Sequence, residues 1–156
     1  MTDNNKPKLM IQCYPEKNEI TLNDGNRYMT LPCSAAVMEP CCRMLEEVFN
    51  APYAHFALTD LSDPTDMTRP LLYRETVAES RETLPDDAER LYASAEELKD
   101  TVCVLILMEL SPDVDHTLVE KAYNSVYDSL DSRANIFWTS TFTPDASYRI
   151  SLIGIF

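Results

Sequence analysis

An unbroken apolar run, VCVLILM over residues 102–108, sets the strongest limit on the fold. It has the length of a β-strand and is apolar at every position, which is typical of a central strand covered on both faces. The wider apolar stretch, residues 101–110, is about half as long as a membrane-spanning helix. The run therefore predicts the core strand of a globular domain.

One helix and two strands are predicted after this run. The Ser-Pro-Asp triplet at residues 111–113 is typical of a helix start, and apolar residues then recur at helical spacing. The inner side of this helix is predicted to hold Val114, Leu118, Val119, Ala122, Tyr123, Val126, Tyr127 and Leu130. Two alternating segments, residues 134–143 and 147–156, predict adjacent strands on either side of a turn at residues 143–145.

The first hundred residues predict several further elements. Residues 8–14 and 19–22 are typical of a β-hairpin, and residues 34–49 of a helix with Ser34 as its N-cap. The other predicted elements are a strand over residues 53–60 and helices over residues 70–82 and 85–99. Together they predict an α+β fold, a two-layer sandwich with a mixed sheet of about four strands and helices mainly on one face.

Charge and cysteine content limit the partners and the compartment. The chain has 13 basic and 26 acidic residues and a net charge of −13, which repels nucleic acid and anionic lipid. We therefore expect neither nucleic acid nor membrane as a partner. The N-terminus lacks a secretory signal, and the five cysteines follow no disulfide-framework spacing, so a cytoplasmic protein is expected.

Glycine is scarce, with Gly25 and Gly154 as the two glycines of the chain. Phosphate-binding loops, dinucleotide-binding turns and nucleophile elbows need glycine, because their backbone must approach a ligand closely. The sequence therefore excludes a P-loop and a dinucleotide fingerprint. We expect no catalytic residues, no cofactor and no enzymatic activity.

Two short clusters carry side chains that could bind a ligand or react. Asp113, Asp115 and His116 are candidate ligand residues, since carboxylate and imidazole groups close in sequence occur at metal sites. Acidic residues at a helix start are also favoured by the helix dipole, so a metal is not expected. Cys41 and Cys42 suggest redox chemistry, but neighbouring helical side chains diverge by about 100°. The role of these two cysteines stays open.

The last two predicted strands carry aromatic and aliphatic side chains on both faces. Trp138, Tyr148 and Phe156 are expected either to pack in the core or to form an exposed association face. Ile153 and Ile155 lie on the face of the last strand opposite to Phe156, which predicts a second covered surface. The candidate interaction residues are Trp138, Tyr148, Ile153 and Ile155.

Residues 102–156 resemble the closing half of the C-terminal domain of the FtsZ and tubulin family of filament-forming GTPases. The bacterial branch has a strand of the V-L-V-N-I type, a helix with V-N-E-A, an aspartate-rich turn, a strand A-N-I-I-F-G and a last strand R-V-T-V-I-A-T-G-F. The corresponding segments here are VCVLI (102–106), VEKA (119–122), Asp131, ANIF (134–137) and RISLIGIF (149–156). The resemblance implies an FtsZ C-terminal-domain-like fold in which the final strand completes the sheet.

The resemblance also implies a domain layout. Residues 34–49 and 53–59 would take the places of the family's long central helix and next strand. The expected layout is a single domain over residues 1–156, with an FtsZ C-terminal-like core over residues 31–156 and a hairpin extension over residues 1–30.

Departures from the family pattern imply that GTP is not hydrolysed. In the family, a GTPase domain with a G-G-G-T-G-T-G loop precedes this region, and the chain has neither the length nor the glycines for it. The family's acidic N-x-D-F-A-D loop, which completes the nucleotide site of a neighbouring subunit, corresponds to residues 31–37, LPCSAAV, which lack a carboxylate. The C-terminal tail peptide of the bacterial branch is also expected to be missing.

The sequence therefore favours a non-catalytic interaction or assembly module. It would act by self-association, as a homo-oligomer, or by binding a protein partner. The alternative is a small-molecule-binding protein or enzyme with a pocket between the helices and the sheet. The sequence leaves the partner, the oligomeric state and the pathway open.

Overall fold

The structure, a computed structural model, describes residues 9–25, 27–50, 71–94, 96–101, 103–128, 135–144 and 147–156. Contacts group the chain into two compact units, Met1–Leu71 and Leu72–Phe156. In this grouping, residues 31–50 fall in the same unit as the N-terminal hairpin. The expected single domain over residues 1–156 is untested and stays a prediction.

The first unit contains a three-stranded antiparallel sheet formed by β1 (Met10–Tyr14), β2 (Glu19–Asn23) and β3 (Tyr28–Pro32), in that order. The predicted hairpin of β1 and β2 is confirmed. Its connection holds a short 3-10 helix, Pro15–Lys17, and then Asn18 in the left-handed conformation, which asparagine tolerates. The sequence analysis missed β3, because a short run that ends at a proline is a weak strand signal.

Helix α1 (Met38–Phe49) follows a short 3-10 helix at Ala35–Val37. Ser34 caps this 3-10 helix rather than α1: its hydroxyl accepts a hydrogen bond from the Ala36 N–H at 3.3 Å, and the N-cap of α1 is Val37, whose side chain makes no capping bond. Pro40 lies in the first turn of α1, where its missing N–H costs no helical hydrogen bond. The buried side of α1 consists of Met38, Cys41, Met44, Leu45, Val48 and Phe49, at the predicted helical spacing.

Two links hold β1 and α1 together. A disulfide bond joins Cys13 of β1 to Cys42 of α1. At the other end of the helix, the Asn50 side chain accepts a hydrogen bond from the Leu9 N–H at 3.2 Å and donates one to the Leu9 carbonyl at 3.3 Å. The sequence analysis did not predict the disulfide, because one pair separated by 29 residues has no recognisable spacing.

The second unit is built on a mixed four-stranded sheet, which confirms the predicted sheet. Its strands are β4 (Leu71–Val77), β5 (Cys103–Leu110), β6 (Asn135–Phe142) and β7 (Arg149–Ile155). Their spatial order is β4-β7-β5-β6, and β5 pairs in parallel with β6 and antiparallel with β7. All described residues of β5 except Glu109 are buried, as expected for a central strand.

Helices α2 (Leu84–Ala93) and α3 (His116–Tyr127) contribute to one hydrophobic core on a single face of this sheet. The strand residues of this core include Val104, Ile106, Met108, Leu110, Ile150 and Leu152. Since these residues alternate along β5 and β7, they all lie on the same sheet face. The predicted α+β class, with helices against a mixed sheet, is confirmed.

Both helices of the second unit are shorter than predicted. α2 has Pro85, Asp86 and Asp87 in its first turn, as expected, but it ends at Ala93 and a 3-10 helix at Glu96–Asp100 follows. The Asp87 carboxylate lies in this first turn and accepts hydrogen bonds from the Thr83 hydroxyl at 2.8 Å and from Arg90 at 2.7 Å. α3 begins at His116, since the Asp115 side chain, rather than Ser111, caps it.

The predicted helix over residues 70–82 is wrong, because this segment contains β4. Its sequence, LLYRETV, mixes helix-forming residues with aromatic and β-branched ones, so local propensity is balanced. Pairing with β7 decides the outcome, and Arg149 of β7 lies 4.0 Å from Glu75 of β4. Tertiary pairing therefore overrides the local pattern. The predicted strand over residues 53–60 lies outside the described residues.

The prediction that the last two strands are adjacent is also wrong. β5 lies between β6 and β7, so Trp138 and Tyr148 are on strands separated by a third. A short turn between two strands favours a hairpin. Here, however, β6 and β7 each pair with the long apolar strand β5, one on either side of it, and not with each other. Strand order is set by such distant pairings, which local sequence does not encode.

Candidate interaction surface

Aromatic rings on α3 and β6 form two contacting groups, and we call the two groups together the aromatic stripe. It consists of His116, Tyr123 and Tyr127 of α3 with Trp138 and Phe142 of β6. The Tyr123 and Trp138 ring centroids are 4.8 Å apart, those of Tyr123 and Tyr127 5.9 Å, and those of His116 and Phe142 6.2 Å. These separations are typical of favourable aromatic pairs.

The periodicity of α3 and β6 explains the stripe. His116, Tyr123 and Tyr127 are separated by seven and four residues, so they share one face of the helix. On β6, Trp138 and Phe142 lie opposite Ile106 and Leu110 of β5, whose side chains belong to the helix-covered core. Both rings therefore point to the sheet face on which α3 packs.

Exposure distinguishes the stripe from ordinary core packing. The side chains of Tyr127, Trp138 and Phe142 are 54%, 43% and 45% exposed, whereas Tyr123 is half-buried between its two neighbours. β6 is the last strand in the order of its sheet, so the stripe lies at a sheet edge. Exposed tyrosine and tryptophan in one patch are typical of protein interfaces.

The four predicted interaction residues are not brought together. Trp138 belongs to the aromatic stripe, but Tyr148 is half-buried and packs against the core of the second unit. Ile153 and Ile155 are fully buried, as the prediction of a second covered surface requires, and they offer no exposed area. Trp138 is therefore the one of these four residues that is exposed.

Tyr148 has an unusual backbone conformation. Its φ angle is +33°, which a bulky side chain rarely adopts. The neighbouring backbone holds this geometry, because the Tyr148 carbonyl accepts a hydrogen bond from the Ala78 N–H at 3.0 Å. Packing of the Tyr148 ring against the core offsets the local strain.

Asp113, Asp115 and His116 have separate local roles. Asp115 accepts a hydrogen bond from the Thr117 N–H at 2.9 Å, and this bond lowers the pKa of its carboxyl. Asp113 accepts a hydrogen bond from Ser111, which is the main reason that its pKa is also lowered. Within the described ranges, no group of three or more histidine, cysteine or acidic side chains has the arrangement needed to hold a metal ion.

The cysteines of the first unit form two pairs. Cys13 and Cys42 are disulfide-bonded, while the buried Cys41 thiol donates a hydrogen bond to Cys33, whose own thiol donates to the Ser34 carbonyl at 3.6 Å. Burial raises the pKa of both the Cys33 and the Cys41 thiol, so neither is a reactive thiolate near neutral pH. Cys103, which lies in the apolar run predicted as the core strand, is buried in β5.

The sequence analysis missed most of the stripe. It placed Tyr123 and Tyr127 on the inner side of α3, where the structure buries Val119, Ala122 and Val126. A helical projection would have separated the two sets, because the tyrosines lie about 80° away from the centre of the buried face. Both the tyrosines and the buried aliphatic residues suit a core position, however, and only the packing shows which of the two sets is buried.

Comparison with known proteins supports the fold. No protein-family model and no curated protein matches the sequence. An empty FtsZ dimer from M. jannaschii is similar with a TM-score of 0.51 and 13% identity, over 78% of this chain and 36% of that chain. A tryptophan-to-tyrosine FtsZ mutant from M. jannaschii has a TM-score of 0.49 and 13% identity, over 78% of this chain and 38% of that chain.

A thiamine monophosphate kinase from Aquifex aeolicus has a TM-score of 0.42 and 14% identity, over 61% of this chain and 36% of that chain. This chain therefore spans a little over a third of the length of each of these solved structures. At 13% identity, the likeness to the FtsZ dimer shows an FtsZ-like fold. Across the described segments, no helix is long and apolar enough to span a bilayer.

Proposed function

We propose that this chain is a non-catalytic protein-interaction module with an FtsZ-like fold, and that the aromatic stripe is its binding surface. The observation that carries the proposal is the exposure of Tyr127, Trp138 and Phe142, which belong to two aromatic groups on α3 and the edge strand β6. Large exposed aromatic side chains bury much area at little cost in conformational entropy, and they dominate the binding energy of many interfaces.

The fold supports association as the mode of action. One similar solved structure is an FtsZ dimer, and self-association of this chain or its binding to a protein partner would extend that behaviour. The proposal of a non-catalytic role rests on the sequence, which has two glycines and no carboxylate in residues 31–37. We therefore expect association to occur without a nucleotide.

The proposal is tested by comparing single alanine variants of exposed aromatic residues. Trp138→Ala and Tyr127→Ala should each weaken binding about tenfold or more, as truncation of central interface aromatics does. Tyr28 is the matched control, because its side chain is 48% exposed and lies on β3 of the first unit. Tyr28→Ala should leave binding unchanged.

Association would be measured by sedimentation velocity at micromolar concentration, and partner binding by affinity capture with the same variants. A chain that stays monomeric and captures no partner would contradict the proposal. So would equal losses in the Tyr28 and Trp138 variants. Stabilisation by a metabolite or metal, worth about 2.7 kcal/mol at a hundred times its dissociation constant, would instead favour a small-molecule-binding protein.

A further inference from the structure

Glu120 lies within the aromatic stripe. Because residues three and four apart are neighbours on a helix, its side chain adjoins His116 in the preceding turn and Tyr123 in the following turn. The side chain is exposed, and it forms no ion pair within the part of the chain that the structure describes. A carboxylate without an ion-pair partner among the described residues thus lies next to two rings of the stripe, the exposed His116 and the half-buried Tyr123.

The other charges around the stripe are also mostly acidic. Asp115 caps the N-terminal end of α3 and Asp128 caps its C-terminal end, and both are exposed. Lys121, the one lysine of α3, lies about 100° around the helix from Glu120, and its charge contributes to lowering the pKa of the Asp115 carboxyl. The net charge of −13 adds a long-range attraction for cations. The surface is therefore complementary to a positively charged partner.

Arginine fits this combination better than lysine does. A guanidinium group is planar, so it can stack on an aromatic ring while its N–H groups bind a carboxylate. An ammonium group is more strongly hydrated and makes no such stacked, bidentate contact. Exposed rings beside an unpaired carboxylate therefore favour arginine.

A second copy of the chain fits poorly at this surface. A symmetric stripe-to-stripe contact would place the same acidic side chains, Glu120 among them, on both sides of an interface between molecules that each carry a charge of −13. Like charges facing each other across an interface oppose binding. The negative charge therefore favours binding of a different, positively charged protein over self-association, the other mode in the proposed function.

The geometry points to a protein partner whose contacting segment is rich in arginine, with guanidinium groups that pair with Glu120 and stack on the exposed rings of the aromatic stripe. This inference rests on the proposed function of the aromatic stripe and names the chemistry of its partner. Self-association through the stripe is the competing outcome.

The test uses the fluorescence of Trp138, which is the single tryptophan of the chain. The full chain is titrated with a synthetic peptide of alternating arginine and serine, and with equal-length peptides in which lysine or glutamate replaces arginine. The variants are Glu120→Gln and Glu89→Gln. Glu89 is the matched control, because it is an exposed glutamate on α2 and its substitution removes the same charge.

The arginine peptide should change the Trp138 emission and bind more tightly than the lysine peptide, and the glutamate peptide should not bind. Glu120→Gln should weaken binding of the arginine peptide about three- to fivefold, as expected for an exposed charge pair. Glu89→Gln should have less than half of that effect. Circular dichroism would check that both variants keep the fold.

Equal binding of the arginine and lysine peptides, with equal effects of both variants, would overturn the inference, since it would reflect net charge alone. If no peptide binds but Trp138 emission changes with protein concentration, the arginine-rich partner is excluded and the proposed function stands as self-association. If neither occurs and no partner is captured, both are overturned.

Discussion

At position 154 of β7 there is no room for a side chain. A Cβ atom placed on Gly154 would lie 2.9 Å from the Thr101 methyl group and closer still to the Leu98 side chain. Both neighbours are buried, so neither can move freely. Gly154 is needed for close packing here rather than for a turn, because its φ angle is not positive.

We predict that Gly154→Ala lowers the free energy of unfolding by about 1–3 kcal/mol, as over-packing of a core does. Ser151→Ala on the same strand is the control. The Ser151 hydroxyl is buried and has no hydrogen-bond partner within the described residues, so its removal should be neutral or slightly stabilising. Urea unfolding of both variants would show this, and equal stability of Gly154→Ala and the wild type would refute the packing argument.

The thiols of Cys33 and Cys41 give a second prediction at the residue scale. Burial raises the pKa of both thiols in the folded state, whereas a thiol in the unfolded chain titrates near 8.5. Below about pH 8.5 both states keep their protons, and neither thiol changes stability. Above that pH the unfolded chain loses protons that the folded chain retains, so the free energy of unfolding falls.

We expect the loss to approach about 1.4 kcal/mol per pH unit for the buried Cys41 thiol. Denaturant unfolding between about pH 7.5 and pH 10 would measure the slope. A Cys33→Ala and Cys41→Ala double variant should show a shallower fall over the same range. Matching slopes in the variant and the wild type would mean that other groups cause the pH dependence.

At the scale of elements, the bond between Cys13 and Cys42 ties strand β1 to helix α1. It closes a loop over a sequence separation of 29 residues, and such a loop restricts the unfolded chain. A disulfide forms and persists in an oxidising environment, whereas the sequence predicts a cytoplasmic protein. The compartment stays a prediction.

We predict that reduction of the disulfide, or Cys42→Ala, lowers the stability of the first unit by about 3–4 kcal/mol. Thermal unfolding with and without a reducing agent would show the change. Since Cys42→Ala already lacks the bond, the reducing agent should not affect that variant further. A wild-type chain with two extra titratable thiols before reduction would show that the bond does not form.

Local sequence patterns predicted some of the helices and strands correctly and others wrongly. The apolar run that becomes β5 and the helical spacing of α1 were predicted correctly, because burial on both faces or on one face leaves a direct pattern in the sequence. The segment of β4 was predicted as a helix, since LLYRETV fits the pattern of a helix and that of a strand about equally. Its strand state depends on β7, which lies more than seventy residues later in the chain.

At the scale of the whole molecule, the sequence predicted the FtsZ-like fold but did not predict the aromatic stripe. The resemblance to the family was visible in residues 102–156, and the structural similarity to FtsZ supports the fold. The sequence did not predict the stripe, because the two last strands were expected to be adjacent and Trp138 was therefore grouped with Tyr148 and Phe156. The insertion of β5 between β6 and β7 separates them and leaves Trp138 next to α3.

The sequence by itself determined the α+β class, the central strand, the Ser34 cap that precedes α1 and the scarcity of glycine that argues against nucleotide-binding loops. These features depend on the order of residues along a short segment. Tertiary structure alone decided the strand order, the strand state of β4, the Cys13–Cys42 bond and the exposure of Tyr127 and Trp138. Each of these depends on which distant segments pair and pack, and that choice minimises the free energy of the whole chain rather than of any local stretch.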